Sequence, residues 1–284
     1  MLYSTAVPNR RELWRVVTAN IWNKGGPWPQ RLPLLRDQLL ALDADVIGLQ
    51  EVLALPGAPT QADEIFEGTG WSIYHAPAWH IGGGLTFGNA IASPHPIRDG
   101  ELLTLPTPDG LDTRAVAFAR VDAPHGPMPV FVTHLTVQPH LGHVRCLQVK
   151  ALAQMVDQRC PIDGPPPVVM GDMNAAPDSD EMRYLRGLTA LGGQGVYFAD
   201  CWLLAGDGSP GLTYERGNPY AFRSREPSQR IDYIFVRGPD RHLRGEPVVA
   251  KLALNQPSSD GVWPSDHYAV VADIYAAPRK HDPY

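Results

Sequence analysis

Apolar positions along the chain gather into many short runs and only a few helix-spaced stretches. Continuous apolar runs, the mark of strands buried on both faces, occupy 13–20, 45–51, 129–135, 168–171, 230–236 and 268–275. Shorter strand patterns lie at 71–76, 88–93, 97–105 and 114–121, the last two joined by a Pro/Asp/Gly turn, and within 247–254. Helical spacing appears at 31–42, through Leu32, Leu35, Leu39 and Leu42, and at 141–158, through Leu141, Val144, Leu147, Leu152 and Met155. A short helix is predicted at 61–67, and another at 178–190 with acidic residues in its first turn. The Gly/Pro/Trp-rich stretch from Trp22 to Pro29, the segment His80-Ile81-Gly82-Gly83-Gly84, and residues 205–229 and 255–265 are predicted loops, the glycine-rich one a flexible element at the mouth of a site. Many strands with few, widely spaced helices predict an α/β (α+β) architecture: two central mixed β-sheets flanked by helices. The pattern has no internal repeat, low-complexity tract or linker, so a single domain over 1–284 is expected.

Composition narrows the classes. The chain is 284 residues long, 44% hydrophobic and 19% charged, enough to build a substantial core. No apolar run approaches the ~20 residues of a membrane-spanning helix, and residues 1–12 lack the apolar core of a signal peptide. Cys146, Cys160 and Cys201 are scattered and match neither a zinc pattern nor a disulfide framework. A cytoplasmic protein, acting as a monomer, is expected. The net charge of −6 weighs against a domain whose main work is gripping a long nucleic-acid backbone.

The chemistry sits where the apolar runs end. Three prolines precede Val168-Val169-Met170, and Gly171 then delivers Asp172 and Asn174 at the strand's carboxyl end, where open α/β sheets place their sites. A carboxylate beside an amide suits a water nucleophile attacking near a phosphate; an Asx-turn closing the strand accounts for the same pair. Asn20, Glu51, His134, Asp232 and the Asp266-His267 pair share that placement. One such residue is ordinary capping, whereas eight polar groups at strand ends point to a common crevice. Glu51 and Asp266 are oxygen donors of the type a hard cation prefers, and His134 and His267 can donate to a phosphate oxygen or shuttle protons. No P-loop, HExxH or GxSxG motif occurs.

The ordered series Asn20, Leu49-Gln50-Glu51-Val52, Gly88-Asn89-Ala90-Ile91, Thr133-His134-Leu135 followed by Arg145 and Gln148, Gly171-Asp172-Met173-Asn174-Ala175, Arg230-Ile231-Asp232-Tyr233-Ile234 and Ser265-Asp266-His267 resembles the endonuclease/exonuclease/phosphatase (DNase-I-like) superfamily over nearly the whole chain. The resemblance implies a four-layer α/β/β/α sandwich and in-line attack on phosphorus with Mg²⁺ or Mn²⁺, or Ca²⁺, neutralising developing charge. It implies Glu51 as principal metal ligand with Asn20 and Asp266 near the same ion, and Asp172 as the residue that orients or deprotonates the water. Asn174 would hold the scissile phosphate, His134 and His267 would contact its oxygens, and Asp232 would orient His134. One position departs from the pattern. Two residues after Asn20, where the AP-endonuclease branch carries an acidic metal-binding residue, this chain has Trp22, which argues against that branch.

Asn89, Arg225, Arg230 and Trp22 are candidate substrate contacts, the arginines within an Arg/aromatic segment that also holds Arg216, Arg223, Tyr214, Tyr220 and Phe222. A solvated loop with ordinary charges explains that segment equally well. The expected partner is a small phosphorylated molecule or a short nucleotide. A nuclease on DNA or RNA is the alternative, and a silent binding protein on the same fold a lesser one.

Overall fold

A computed structural model describes residues 9–108, 111 and 113–278. Twelve strands form two six-stranded sheets. The first sheet contains β1 (Leu13–Asn20), β2 (Val46–Ala54), β3 (Ser72–Gly82), β4 (Leu85–Ser93), β11 (Pro247–Ala253) and β12 (Ala269–Tyr275), in the order β11-β12-β1-β2-β4-β3. The second contains β5 (Ile97–Thr104), β6 (Ala115–Val121), β7 (Met128–His134), β8 (Val168–Asp172), β9 (Ala199–Asp200) and β10 (Asp232–Val236), in the order β5-β6-β7-β8-β10-β9. Both are mixed: β1–β2 and β7–β8 pair in parallel and the remaining neighbours antiparallel.

Alternation along the strands builds the layers. Trp14 and Val16 of β1 face a core shared with Val130 and Val132 of β7, Val168 and Met170 of β8 and Ile234 of β10. Val17 and Ala19 point the other way, onto Leu35 and Leu39 of α1 (Trp28–Leu40) and Ile65 of α2 (Gln61–Ile65). The outer face of the second sheet is covered by α3 (Gly142–Arg159), through Val149, Leu152 and Val156, and by α4 (Asp180–Leu185). Two sheets face to face, each with helices on its outside, make the expected α/β/β/α sandwich. Each large aliphatic side chain fully removed from water contributes on the order of 1.5–3 kcal/mol, in keeping with β8, buried along its length, carrying no polar side chain before Asp172.

Three local expectations are corrected. His80, Ile81 and Gly82 belong to β3, and only Gly83 and Gly84, both at positive φ, make the turn into β4. On α3 the expected face holds at Val144 and Leu152, which are buried, but not at Leu147, which is exposed, whereas Arg145 and Gln148 are buried. The 205–229 stretch is preceded by an unpredicted short helix, α5 (Cys201–Ala205), capped by Asp200. The Pro/Asp/Gly turn expected between β5 and β6 lies partly outside the described residues, at Asp109 and Gly110.

Candidate active site

The parallel pairing of β7 with β8 sets His134 opposite Asp172, and the antiparallel pairing of β8 with β10 sets Asp172 opposite Asp232. One row across three adjacent strands therefore carries an imidazole and two carboxylates. Gly171 makes this row fit: a Cβ there would collide with the Thr133 carbonyl oxygen, so the residue before Asp172 has to be glycine for a close strand approach rather than for a turn. From the facing sheet, β1 ends in Asn20 and β2 carries Glu51, at a bulge where the β2–β4 register shifts between Leu49 and Val52. Glu51 sits at φ 64° and Asn174 at φ 48°, left-handed conformations uncommon for such residues; backbone strain of this kind collects at functional sites. The segment entering β12 supplies Asp266 and His267.

The side chains interlock. Asp172 Oδ2 accepts from Asn20 Nδ2 at 2.9 Å and lies 3.5 Å from His134 Nε2 and 3.8 Å from His267 Nε2. Its other oxygen accepts the backbone N–H of Asn174 at 2.9 Å. His267 Nδ1 pairs with Asp232 Oδ2 at 2.9 Å. Asp232 therefore orients His267, not His134 as the resemblance implied. His134 is held instead by shape: its ring leans on Phe87 at 6.1 Å between centroids, and its buried Nδ1 has no protein partner. The loop after it is fixed by Gln148 and Arg145, which bond to Thr136, and by the buried ion pair of Arg145 with Glu181 at 2.6 Å.

Electrostatics separates the two imidazoles. Despite burial, the charges of Asp232, Asp172 and Asp266 hold the His267 pKa well above the usual histidine range, so it is an imidazolium. Burial, with the positive charges of Arg114 and His267, pushes His134 well below that range, so it is neutral. Burial and the nearby Asp232 charge push Asp172 up to about 7. Burial and the Glu51 charge likewise push Asp266 up to about 6. A buried crowd of carboxylates that resists ionisation is what a divalent cation would relieve. Oxygen donors without a thiolate suit Mg²⁺ or Mn²⁺, so the donor set fits the metal that the family implies.

Two places qualify. Asp172, Asp232 and His267 offer ligand atoms within 4.8 Å of one another. His267 Nδ1 and Asp232 Oδ2 are already committed to each other at 2.9 Å, however, which favours the Glu51–Asp266 end. Asn20, expected beside the ion, turns its amide nitrogen to Glu51 (3.2 Å) and Asp172, and its oxygen accepts the Trp22 N–H at 2.9 Å. It clamps carboxylates rather than offering them a neighbouring oxygen.

The candidate substrate contacts divide. Arg230 is buried, pairs through two nitrogens with Asp200 at 2.9 and 3.0 Å and stacks on Tyr233, so it holds the fold and cannot reach a substrate. Trp22 packs its ring against Gly25 and Gly26, stacks with Tyr220 at 4.8 Å and carries the Arg31 guanidinium 4.9 Å from its ring, so it is engaged within its own loop. Asn89 donates to the Ala115 carbonyl at 2.9 Å within the wall beside His134. Arg225 is exposed. Asn174 donates its side-chain amide to the Leu135 carbonyl at 3.0 Å, which sets its rotamer next to Asp172. Of the aromatic residues in the same loop, Tyr214 meets the His267 ring at 4.9 Å, whereas Phe222 stacks with Arg216. Two hydroxyls support the site: Thr213, whose hydroxyl accepts the N–H groups of Ile231 and Asp232, and Ser265, whose hydroxyl donates to the Asn20 carbonyl. Ser265 lies in the Ser-Asp-His run and was legible as a partner of that motif; Thr213 was not.

Fold and site together define a two-sheet sandwich protein with a buried carboxylate–imidazole centre at the ends of its inner strands. The chain belongs to the endonuclease/exonuclease/phosphatase family, whose model matches residues 17–267. Members of that family are generally hydrolases of phosphoesters and typically depend on a divalent metal. Among solved structures, an endonuclease/exonuclease/phosphatase protein from Beutenbergia cavernae is 23% identical, with a TM-score of 0.70 over 93% of this chain and 72% of that one. TDP2 from D. rerio, complexed with a single-strand DNA product, is 17% identical, with a TM-score of 0.69 over 92% of this chain and 98% of that one. A Bacteroides vulgatus member of the family gives 15% and 0.69 over 92% and 98%. No curated protein sequence matches the chain. Among the described residues, no helix is long and apolar enough to cross a membrane.

Proposed function

We propose that this chain is a divalent-metal-dependent phosphoester hydrolase that drives water in line onto phosphorus. The observation that carries the reading is the row His134–Asp172–Asp232, completed by His267, facing the carboxylates of Glu51 and Asp266. A Mg²⁺ or Mn²⁺ ion held by Glu51 and Asp266 would supply positive charge to the phosphoryl oxygens. Asp172, poised near neutrality and fixed by Asn20 and the Asn174 N–H, takes the proton of the attacking water. His267, kept charged by Asp232, donates to a phosphate oxygen as charge builds. His134, neutral and uncommitted at Nδ1, offers its other nitrogen to a second oxygen. Asn174 orients the phosphate beside the base. Each positioned donor or base of this kind is worth roughly 10²–10⁴-fold in rate.

The substrate we favour is a small phosphorylated molecule or a short nucleotide. An acidic chain with 24 basic against 30 acidic side chains supports that choice, as does the pairing of Arg230 with Asp200, which removes one arginine from the candidate substrate contacts. The second reading, a nuclease, is favoured by the likeness to TDP2 holding a single-strand DNA product. The three cysteines are unpaired, as a reducing setting would leave them. The test is a panel of phosphate mono- and diesters, nucleotides, phospholipid headgroups and single- and double-stranded oligonucleotides, each assayed with Mg²⁺, Mn²⁺ and Ca²⁺. Turnover confined to small esters or short nucleotides supports the first reading; processive cleavage of long DNA selects the second.

A further inference from the structure

We propose that Asn23 is a positioning residue of the metal-binding end: its side-chain amide fixes the carboxylate of Glu51 in the orientation that receives the cation. This rests on the reading of Glu51 as a metal ligand. Both Glu51 oxygens carry an amide donor, Oε1 from Asn20 at 3.2 Å and Oε2 from Asn23 at 2.8 Å. A carboxylate has about four acceptor positions, so two stay open for an ion while the plane of the group is set. The partners that orient a ligand commonly matter to affinity nearly as much as the ligand.

The loop that presents Asn23 is built for the purpose. Trp22 at φ 53° and Asn23 at φ 36° are consecutive non-glycine residues in the left-handed region. Such conformations cost of order 1–3 kcal/mol each and persist only where the surroundings over-determine them. Here they do. The Trp22 indole packs against Gly25 and Gly26, where any Cβ would run into the ring, and stacks with Tyr220 at 4.8 Å. Arg31, fully buried, stacks 4.9 Å from the Trp22 ring. Its guanidinium donates to the carbonyls of Ile21, Asn23 (3.4 Å) and Gly25 (2.5 Å), and across to Pro264 (3.0 Å). One buried cation thus fixes both the loop that carries Asn23 and the strand entry that carries Asp266. Asn23 is chosen for its amide as well as for its tolerance of positive φ: the neutral N–H donor supports the Glu51 charge, where a carboxylate would repel it.

Those two reasons for an asparagine separate in one variant. Asn23→Gly removes the amide and suits the φ of 36° better than asparagine does. Mn²⁺ binding to the full-length protein is measured by calorimetry, together with the thermal midpoint of the metal-free protein. The expected result is a Kd for Mn²⁺ raised ~10–100-fold, with a metal-free midpoint equal to or above that of wild type. Glu51→Gln, run beside it, should lose most Mn²⁺ affinity. If Asn23→Gly binds Mn²⁺ within twofold of wild type while Glu51→Gln does not, Asn23 has no positioning role and the cation site stands. If Glu51→Gln also binds normally, the cation site is misplaced and the inference falls with it. A metal-free midpoint that drops by more than a few degrees in Asn23→Gly also overturns the proposal, because the amide would then be holding the loop rather than the carboxylate.

Discussion

Replacing Asp232 with asparagine removes one negative charge from behind His267 and leaves the shape. Asp232 is buried, its backbone N–H is held by Thr213, and its Oδ2 lies 2.9 Å from His267 Nδ1. The asparagine carbonyl can accept the same imidazole N–H, so geometry survives and charge does not. A hydrogen bond to a charged partner is worth about 1.5–3 kcal/mol. At ~1.4 kcal/mol per pKa unit, the His267 pKa should fall by about 1–2 units. Asp172 is pushed up to about 7 by burial and then by the Asp232 charge, so its pKa falls as well. Asp172 works ionised, and a lower pKa carries the acid limb of the rate profile to lower pH. His267 works protonated, and a lower pKa carries the alkaline limb in the same direction. The whole bell should slide toward acid, with kcat at its optimum ~10–10²-fold down. The assay is kcat/KM against pH at saturating Mn²⁺, with the His267 imidazole followed by NMR in the metal-free protein. An alkaline limb that stays put or moves upward would refute the pairing of Asp232 with His267 as the source of that charge.

The pH dependence of folding should carry the same signature. Asp172 and Asp266 have folded pKa values above the unfolded 3.8, so the folded state holds more protons and stability falls as pH rises from about 4 to about 7. His134, held well below 6.5, works in the opposite sense over part of that window, so the Asp172 contribution is read as a difference: the metal-free midpoint of wild type minus that of Asp172→Asn should decline as pH rises from about 4 to about 7, and a difference independent of pH contradicts this. Arg230→Met leaves Asp200 buried and unpaired, which should cost about 3–5 kcal/mol in chemical denaturation with kcat per folded molecule unchanged. A raised KM at normal stability would restore Arg230 to the substrate face. For the preferred substrate, KM should change only a few-fold between ~50 and ~200 mM salt, whereas six to ten phosphate contacts would cost ~10³–10⁵ in affinity.

What was legible depended on whether burial or partnership decides a residue's place. The strand ending in Asp172 announced itself because a strand covered on both faces must be apolar until its end. His134, Asp172 and Asp232 could be assigned to strand ends for the same reason, and sheet register then brought them into one row. Pattern could not say which imidazole Asp232 serves, because that depends on the approach of the β12 entry from the other sheet. On α3, periodicity favoured Leu147 over Arg145 and Gln148, yet the polar pair is buried since the loop after His134 needs its carbonyls and N–H groups bonded. Arg230 looked like a substrate contact through its motif, and only the position of Asp200, thirty residues earlier, shows that its charge is spent internally. Asn23 carries no chemical pattern, and its role emerges from a loop fixed by Arg31.

The central claim is metal-dependent attack of water on phosphorus at this centre. Its most direct test is a single turnover in ¹⁸O-labelled water on the substrate selected by the panel, with EDTA-stripped enzyme and with enzyme restored by Mn²⁺. No turnover is expected without the ion, and with it one ¹⁸O in the released phosphate and none in the alcohol. Turnover undiminished after stripping, or label found in the alcohol, would contradict it.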